Sequence, residues 1–322
     1  MKRCVSLLLW AALLLGLGAC GAGTASREDG SLRVVATIFP LYDWARTVAG
    51  DDPHADVQLL VKNGVDLHSF QPTTADMLAI KNCDLFIYVG GESDGWVDDA
   101  LKEAVNPDMR VINLLDALGG AVKEEEAVEG MEAEEEEEEE EGPEYDEHVW
   151  LSLRNAQTLC GQIADALSAL DPDHADAYAE NLQAYDAELA ALDAAYADAV
   201  AAAPLDTVLF GDRFPFRYLT EDYGLDYYAA FSGCSAETEA SFETVAFLAE
   251  KLRELDLPAV LIIEGSDGKL ARTVIDGSGR GDLPVLALNS MQGVSASEIE
   301  AGQTYLGAME NNLAVLKQAL GG

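Results

Sequence analysis

"RVVATIFPLYDWARTVAGDDPHADVQLLV", Arg33–Val61, is the stretch whose reading decides the fold. Two β-rich apolar runs, Arg33–Phe39 and Asp56–Val61, flank the helical pattern "LYDWARTVAG". A third run, "DLFIYVG" (Asp84–Gly90), follows a second helical pattern, "TTADMLAIKNC". Apolar strands that alternate with helices predict a parallel sheet covered on both faces.

Further along, "TVLFG" (Thr207–Gly211), "AVLIIEG" (Ala259–Gly265) and "PVLALN" (Pro284–Asn289) read as buried parallel strands. "SFETVAFLAEKLREL" and "TYLGAMENNLAVLKQAL" read as their helices. Between the two halves, Leu159, Ile163, Leu167 and Leu170 recur at helical spacing, and a longer helix starts at Asp171-Pro172, read as N-cap and first turn. Its stripe of Tyr178, Leu182, Tyr185, Leu189, Leu192, Tyr196 and Val200 ends before Pro204. Nearly thirty such residues make a rod of roughly 40 Å, long enough to brace two lobes. The expected fold is therefore α/β, with two lobes of parallel sheet flanked by helices and joined by one long rigid helix. The expected boundaries are a first lobe at 33–170, the connecting helix at 171–204 and a second lobe at 205–322.

Lys123–Glu147 is rich in glutamate, unbroken from Glu134 to Glu141, and buries too little apolar surface to order itself. It is expected to be a disordered loop leaving the first lobe; its carboxylates would raise the local cation concentration, but without histidine it would not chelate zinc selectively.

At the start, "MKRCVSLLLWAALLLGLGAC" has two basic residues, a short apolar stretch and then small residues before Cys20. This is the pattern of a secretion signal over 1–20, with "LGAC" resembling the bacterial lipobox, in which the cysteine is lipidated. Residues 21–32 form a Gly/Ser-rich tether. The expected location is the extracytoplasmic face of the membrane, as a lipid-anchored monomer. Loss of Lys2 and Arg3 moves the formal charge from −40 to −42, a surface that repels nucleic acid and draws cations. Cys83, Cys160 and Cys234 remain after the lipid site; three thiols cannot all pair, and no C-x-x-C spacing suggests a zinc finger. Cys83 and Cys160 read as buried free thiols.

Ligands of open α/β sheets bind beyond the carboxyl ends of the strands. That rule picks His68 in "GVDLHSFQPT" (Gly64–Thr73), Asp212 after "TVLF", Glu264 after "AVLII" and Asn289 after "PVLAL", and His148 precedes a helix start. Two imidazoles with oxygen ligands suit zinc or manganese. Cys234 is a soft candidate ligand, while His54 and His174, in polar contexts, read as structural.

"GVDLHSFQPT" and "DEHVWLSL", with "VVATIFPLYDWARTVAG", "DLFIYVGGESDGWV" and the closing helix, resemble the cluster A-I solute-binding proteins of zinc and manganese ABC importers. The resemblance runs from about residue 33 to the C-terminus. It implies a metal held between two lobes by His68 and His148, delivery to a membrane ABC permease, modest lobe motion, and an acidic loop ahead of the second histidine. It also implies third and fourth ligands where this chain has Gly211 and Asn289. Asp212, water or Glu239 would then complete the shell, Glu264 would be a ligand or stand just outside it, and the neutral oxygen of Asn289 would weaken affinity. Affinity is expected to fall as pH drops through about 6.5, where unperturbed histidines protonate. The rival readings are a secreted zinc hydrolase, which would lack both a His-Glu-x-x-His helix and a Gly-x-Ser-x-Gly elbow, and an adhesin or structural lipoprotein with a degenerate metal site.

Overall fold

The computed structural model describes residues 31–50, 54–62, 64–132, 144–235 and 240–322. Cys20, most of the tether, the glutamate block 134–141 and Glu239 lie outside the described residues. Among the described residues, no helix is long and apolar enough to cross a membrane.

The first half builds β1 (Leu32–Ala36), β2 (Ala55–Leu59), β3 (Leu85–Tyr88) and β4 (Arg110–Asn113) into one sheet of order β2-β1-β3-β4. The second builds β5 (Thr207–Phe214), β6 (Asp226–Ser232), β7 (Val260–Ile263) and β8 (Val285–Leu288) into a sheet of order β6-β5-β7-β8. Every strand pairing is parallel, as the apolar runs predict. The two orders are the same, so each sheet reverses its winding between its second and third strands, where α/β folds open a crevice. Two strands carry no apolar run to read. β4 is a short edge strand whose Arg110 and Val111 are exposed, and β6 includes Ala229 and Ala230, weak strand formers that are buried here by packing.

The connecting helix runs Ala175–Ala202, with Tyr178, Tyr185, Leu189, Leu192 and Tyr196 buried along the expected stripe. Asp171 is not its N-cap. A 3-10 turn, Pro172–His174, comes first, and the Asp171 carboxylate makes no cap bond. It accepts instead from Tyr178 Oη at 3.0 Å and meets His174 Nδ1 at 2.7 Å.

One apolar cluster includes Val34 and Phe86 of the first sheet, Tyr196 of the long helix, Phe210 and Leu261 of the second sheet, and Tyr305 of the C-terminal helix. Buried hydrogen bonds stitch the same groups together. Tyr196 Oη donates to Met309 O at 2.6 Å, Tyr305 Oη to Trp150 O at 2.7 Å, and Tyr305 N to Asp43 Oδ2 at 2.8 Å. Breaking any of them would leave a buried polar group unpaired, which costs about 1–3 kcal/mol. The halves are thus braced by packing and hydrogen bonds.

The acidic segment departs from the expected disordered loop over 123–147 at both ends. Glu124 bridges Tyr145 in antiparallel fashion, Glu125 N donates to Glu144 O at 2.8 Å, and Asp146 N to Lys123 O at 2.9 Å. Glu132 then pairs with Phe231 on edge strand β6. Charged groups and a phenol of the second half hold these ends: Arg217 binds Glu126 and the Glu124 carbonyl, Glu221 binds Lys123, and Tyr218 donates to Asp146 O. The order comes from these tertiary partners, which composition does not reveal.

Candidate metal site

His68 lies in a 3-10 turn, Leu67–Ser69, beyond β2, and its N–H donates to the capping Asp66 Oδ1 at 3.0 Å. His148 precedes the turn Val149–Leu151, and Asp146 Oδ1 accepts both its backbone N–H, at 2.8 Å, and its ring Nδ1, at 2.9 Å. The other imidazole is oriented in the same way, with His68 Nδ1 bonded to Ser93 Oγ at 2.6 Å. Both rings therefore spend Nδ1 on an outer partner and turn Nε2 inward, the arrangement of metal-binding histidines. The two Nε2 atoms are 3.3 Å apart. Zinc–nitrogen bonds of about 2.0–2.1 Å at a tetrahedral angle place two nitrogens about 3.3–3.4 Å apart, so the pair is spaced for one ion.

Burial, and then the facing His148, push the pKa of His68 down to about 3. The ring is held in the neutral form that binds metal. Proton competition at His68 thus falls well below the range near 6.5 expected from the sequence. Beside it, Glu147 is buried, which raises its pKa. Its Oε1 accepts from Ser93 N at 3.0 Å, and Oε2 lies 3.7 Å from His68 Nδ1 without a hydrogen-bond partner. Gly91 makes room for this carboxylate: a Cβ there would fall 2.3 Å from Oε1.

Among the described residues, one group of three His, Cys, Asp or Glu side chains has ligating atoms all within 4.8 Å of one another: His68, His148 and Cys234. Cys234 follows β6, and Gly233 lets that turn press against the histidine, since a Cβ at 233 would lie 2.8 Å from His148 Cε1. From the loop after β8, buried Gln292 brings its amide Nε2 to 3.0 Å from His68 Nε2 and 2.5 Å from His148 Nε2.

Asp212 is not in this group, and the side-chain oxygens of both Asp212 and Asn289 are engaged elsewhere. Asp212 sits at an irregularity in β5 between Phe210 and Arg213. Its carboxylate accepts from Ile263 N at 3.3 Å and Arg213 N at 2.9 Å, replacing ladder bonds lost there. Asn289 Oδ1 accepts from Met291 N at 2.8 Å, closing the turn that presents Gln292. Met291 in that turn has φ 61, a left-handed conformation that costs a non-glycine residue roughly 1 kcal/mol or more. Glu264 is a support: its two oxygens accept from Ser290 N at 2.7 Å and Ser290 Oγ at 2.6 Å. Gly211 faces away, because a Cβ there would strike Ala271 Cα at 2.6 Å.

Sequence reading missed Gln292, Asp146, Ser93 and Arg213. Asp146 had a signal, standing two residues before His148. Arg213 ties two of the loops, donating to Asp66 Oδ2 at 2.7 Å and to Ser235 O at 3.4 Å. Burial alone would raise the pKa of Asp66, but Arg213 holds it below its ordinary value. Trp150 ties two more, donating from Nε1 to Ser290 O at 2.8 Å.

One expected absence is overturned. Gly91–Gly95 spells Gly-x-Ser-x-Gly directly after β3. A catalytic triad sets the serine and the carboxylate on opposite nitrogens of the histidine. Here Ser93 Oγ and Glu147 Oε2 both face His68 Nδ1, so the three do not form that relay, and the serine orients the ring.

A family model described as "Zinc-uptake complex component A periplasmic" matches residues 34–319. The chain is 32% identical over 322 residues to the zinc-binding lipoprotein AdcA of Streptococcus pneumoniae, covering 99% of this chain and 61% of that protein. It therefore spans about three fifths of that relative's length. It is also similar to the high-affinity zinc uptake system protein ZnuA of Bacillus subtilis, at 30% identity over 326 residues, covering 99% and 98% of the two. The crystal structure of the Zn(II)-bound ZnuA-like domain of S. pneumoniae AdcA matches with a TM-score of 0.70 at 29% identity, covering 90% of this chain and 99% of that one.

Proposed function

Because the chain belongs to the ZnuA family of zinc-uptake components, we propose that it captures a divalent transition metal at His68 and His148 and delivers it to a membrane ABC permease. Zinc is the favoured ion and manganese the alternative. The carrying observation is the imidazole pair, with Nε2 atoms 3.3 Å apart and each Nδ1 already held by an outer partner. Zinc-binding relatives of similar sequence support the choice of ion. Asp212 and Asn289 serve as positioning groups for the loops rather than as ligands. The protein works as an extracytoplasmic monomer, tethered through a lipid on Cys20, with lobes at 33–170 and 205–322 around the helix of 171–204.

No bond is broken in this function. The rival reading, a secreted zinc hydrolase, would need an open coordination position that activates water; the Gly91–Gly95 motif adds no serine relay to it, since Ser93 Oγ and Glu147 Oε2 both face His68 Nδ1.

Isothermal titration of zinc and of manganese into the full chain, beside the double variant His68→Ala, His148→Ala, tests the proposal. One zinc per chain with a Kd below about 1 μM, lost in the double variant, is the expected result. Absence of a tight site in the unaltered chain, or equal affinity in the variant, would overturn it.

A further inference from the structure

We propose that Cys234 and Gln292 complete the metal site, as a thiolate and a carbonyl oxygen beside the two imidazoles, and that Cys234 is the residue that favours zinc over manganese. This rests on the capture of a metal at His68 and His148, and it names the rest of the shell.

The Cys234 thiol belongs to the only described group of such side chains with all ligating atoms within 4.8 Å of one another. Tetrahedral zinc, with Zn–S near 2.3 Å and Zn–N near 2.0–2.1 Å, needs sulfur and nitrogen about 3.6 Å apart. The turn after β6 is therefore within about an ångström of ligation. Gly233 is what allows it that close, since any larger residue would meet the His148 ring.

Gln292 is buried, 3% exposed, and its amide end touches both Nε2 atoms. The hydrogen bonds select the orientation of that amide. Ser290 has a single hydroxyl proton, and Glu264 Oε1, at 2.6 Å, takes it. As placed, the amide sets Oε1 at 3.2 Å from Ser290 Oγ and Nε2 against the imidazoles; with its proton given to Glu264, Ser290 Oγ is left as an acceptor, which assigns the flipped amide. An acceptor there calls for the NH2 group, which turns the carbonyl oxygen toward the imidazoles. Glu264, which sequence reading placed at or near the shell, thereby sets the fourth ligand through Ser290.

Two imidazoles, a thiolate and a neutral oxygen form a soft set. Thiolate favours zinc, whereas manganese prefers carboxylate, carbonyl and water. Replacing the thiolate by an oxygen donor removes that bias.

Cobalt(II), as a spectroscopic stand-in for zinc, is the direct probe. The full chain loaded with cobalt should show an intense sulfur-to-cobalt charge-transfer band in the near ultraviolet, absent in Cys234→Ser. By competition with a chromophoric chelator, Cys234→Ser should weaken zinc by at least about 10-fold, the loss that even an outer partner of a metal ligand causes. Cys234→Asp should narrow the ratio of zinc to manganese affinity. A cobalt-loaded chain without the band, or Cys234→Ser with unchanged zinc affinity, would overturn this proposal and leave capture by the histidines standing. A chain that binds neither cobalt nor zinc would overturn both. The band is read on the unaltered protein, so a misfolded variant cannot mask the answer.

Discussion

Each imidazole of the pair has Nδ1 held by an outer partner and Nε2 turned toward its twin and Gln292, and that division decides what residue changes will do. Gly211 is the sharpest case, because the family resemblance sets a ligand there while its Cβ direction runs into the backbone of Ala271. Gly211→His should not tighten zinc. It should destabilise the metal-free protein by about 1–3 kcal/mol through overpacking, lowering Tm by roughly 2–4 °C for each kcal/mol. A tighter zinc Kd with unchanged Tm would show that position 211 does face the site. The histidines themselves were legible, since their motifs carry local polar and apolar neighbours at fixed spacing. Asp212 and Asn289 read as ligands from their place at strand ends; in the structure an irregular strand and a tight turn, both set by tertiary contacts, engage their oxygens with backbone N–H groups. Gln292 had no signal: a neutral amide gives no charge pattern, and its approach to His68 depends on a loop from the far half of the chain.

The loops that carry the ligands are fixed by buried groups, and Asp94 exposes one of them to pH. It lies in the turn after β3 that presents Ser93 to His68, and its Oδ2 accepts from Val89 N at 2.9 Å and Gly90 N at 3.0 Å. Burial, against those two bonds, pushes its pKa up to about 7 from an ordinary 3.8. Between about pH 4 and 7 the folded chain therefore holds a proton that the unfolded chain has released. That contribution to stability is full below about 4, falls as pH rises, and is gone above about 7. Asp94→Asn should flatten this part of the metal-free Tm profile, with the unaltered protein losing Tm more steeply than the variant from pH 5 to 8. Parallel profiles would rule out Asp94 as the group responsible. The same dependence on neighbours explains which elements were readable. β1, β2, β3, β5, β7 and β8 announce themselves as apolar runs, and the long helix by its stripe. The ordered ends of the acidic segment do not, because Arg217, Lys123 and Tyr218 supply the order.

Over the whole molecule, a formal charge of −40 gathers cations without choosing among them. On the proposed account the choice is made where the ends of two sheets meet. One apolar cluster reaches from the first sheet to the second, and Tyr196, Tyr305 and Trp150 make the hydrogen bonds that hold the ligand loops to it. Such a frame would present a site largely formed before a metal arrives, so the proposed capture would require small loop movements rather than a swing of lobes. The most direct measurement is the zinc-edge anomalous difference map of a crystal of the zinc-loaded protein. The account predicts one dominant peak about 2.0–2.1 Å from Nε2 of both His68 and His148. A dominant peak on surface carboxylates alone, with the histidine pair unoccupied, would contradict it.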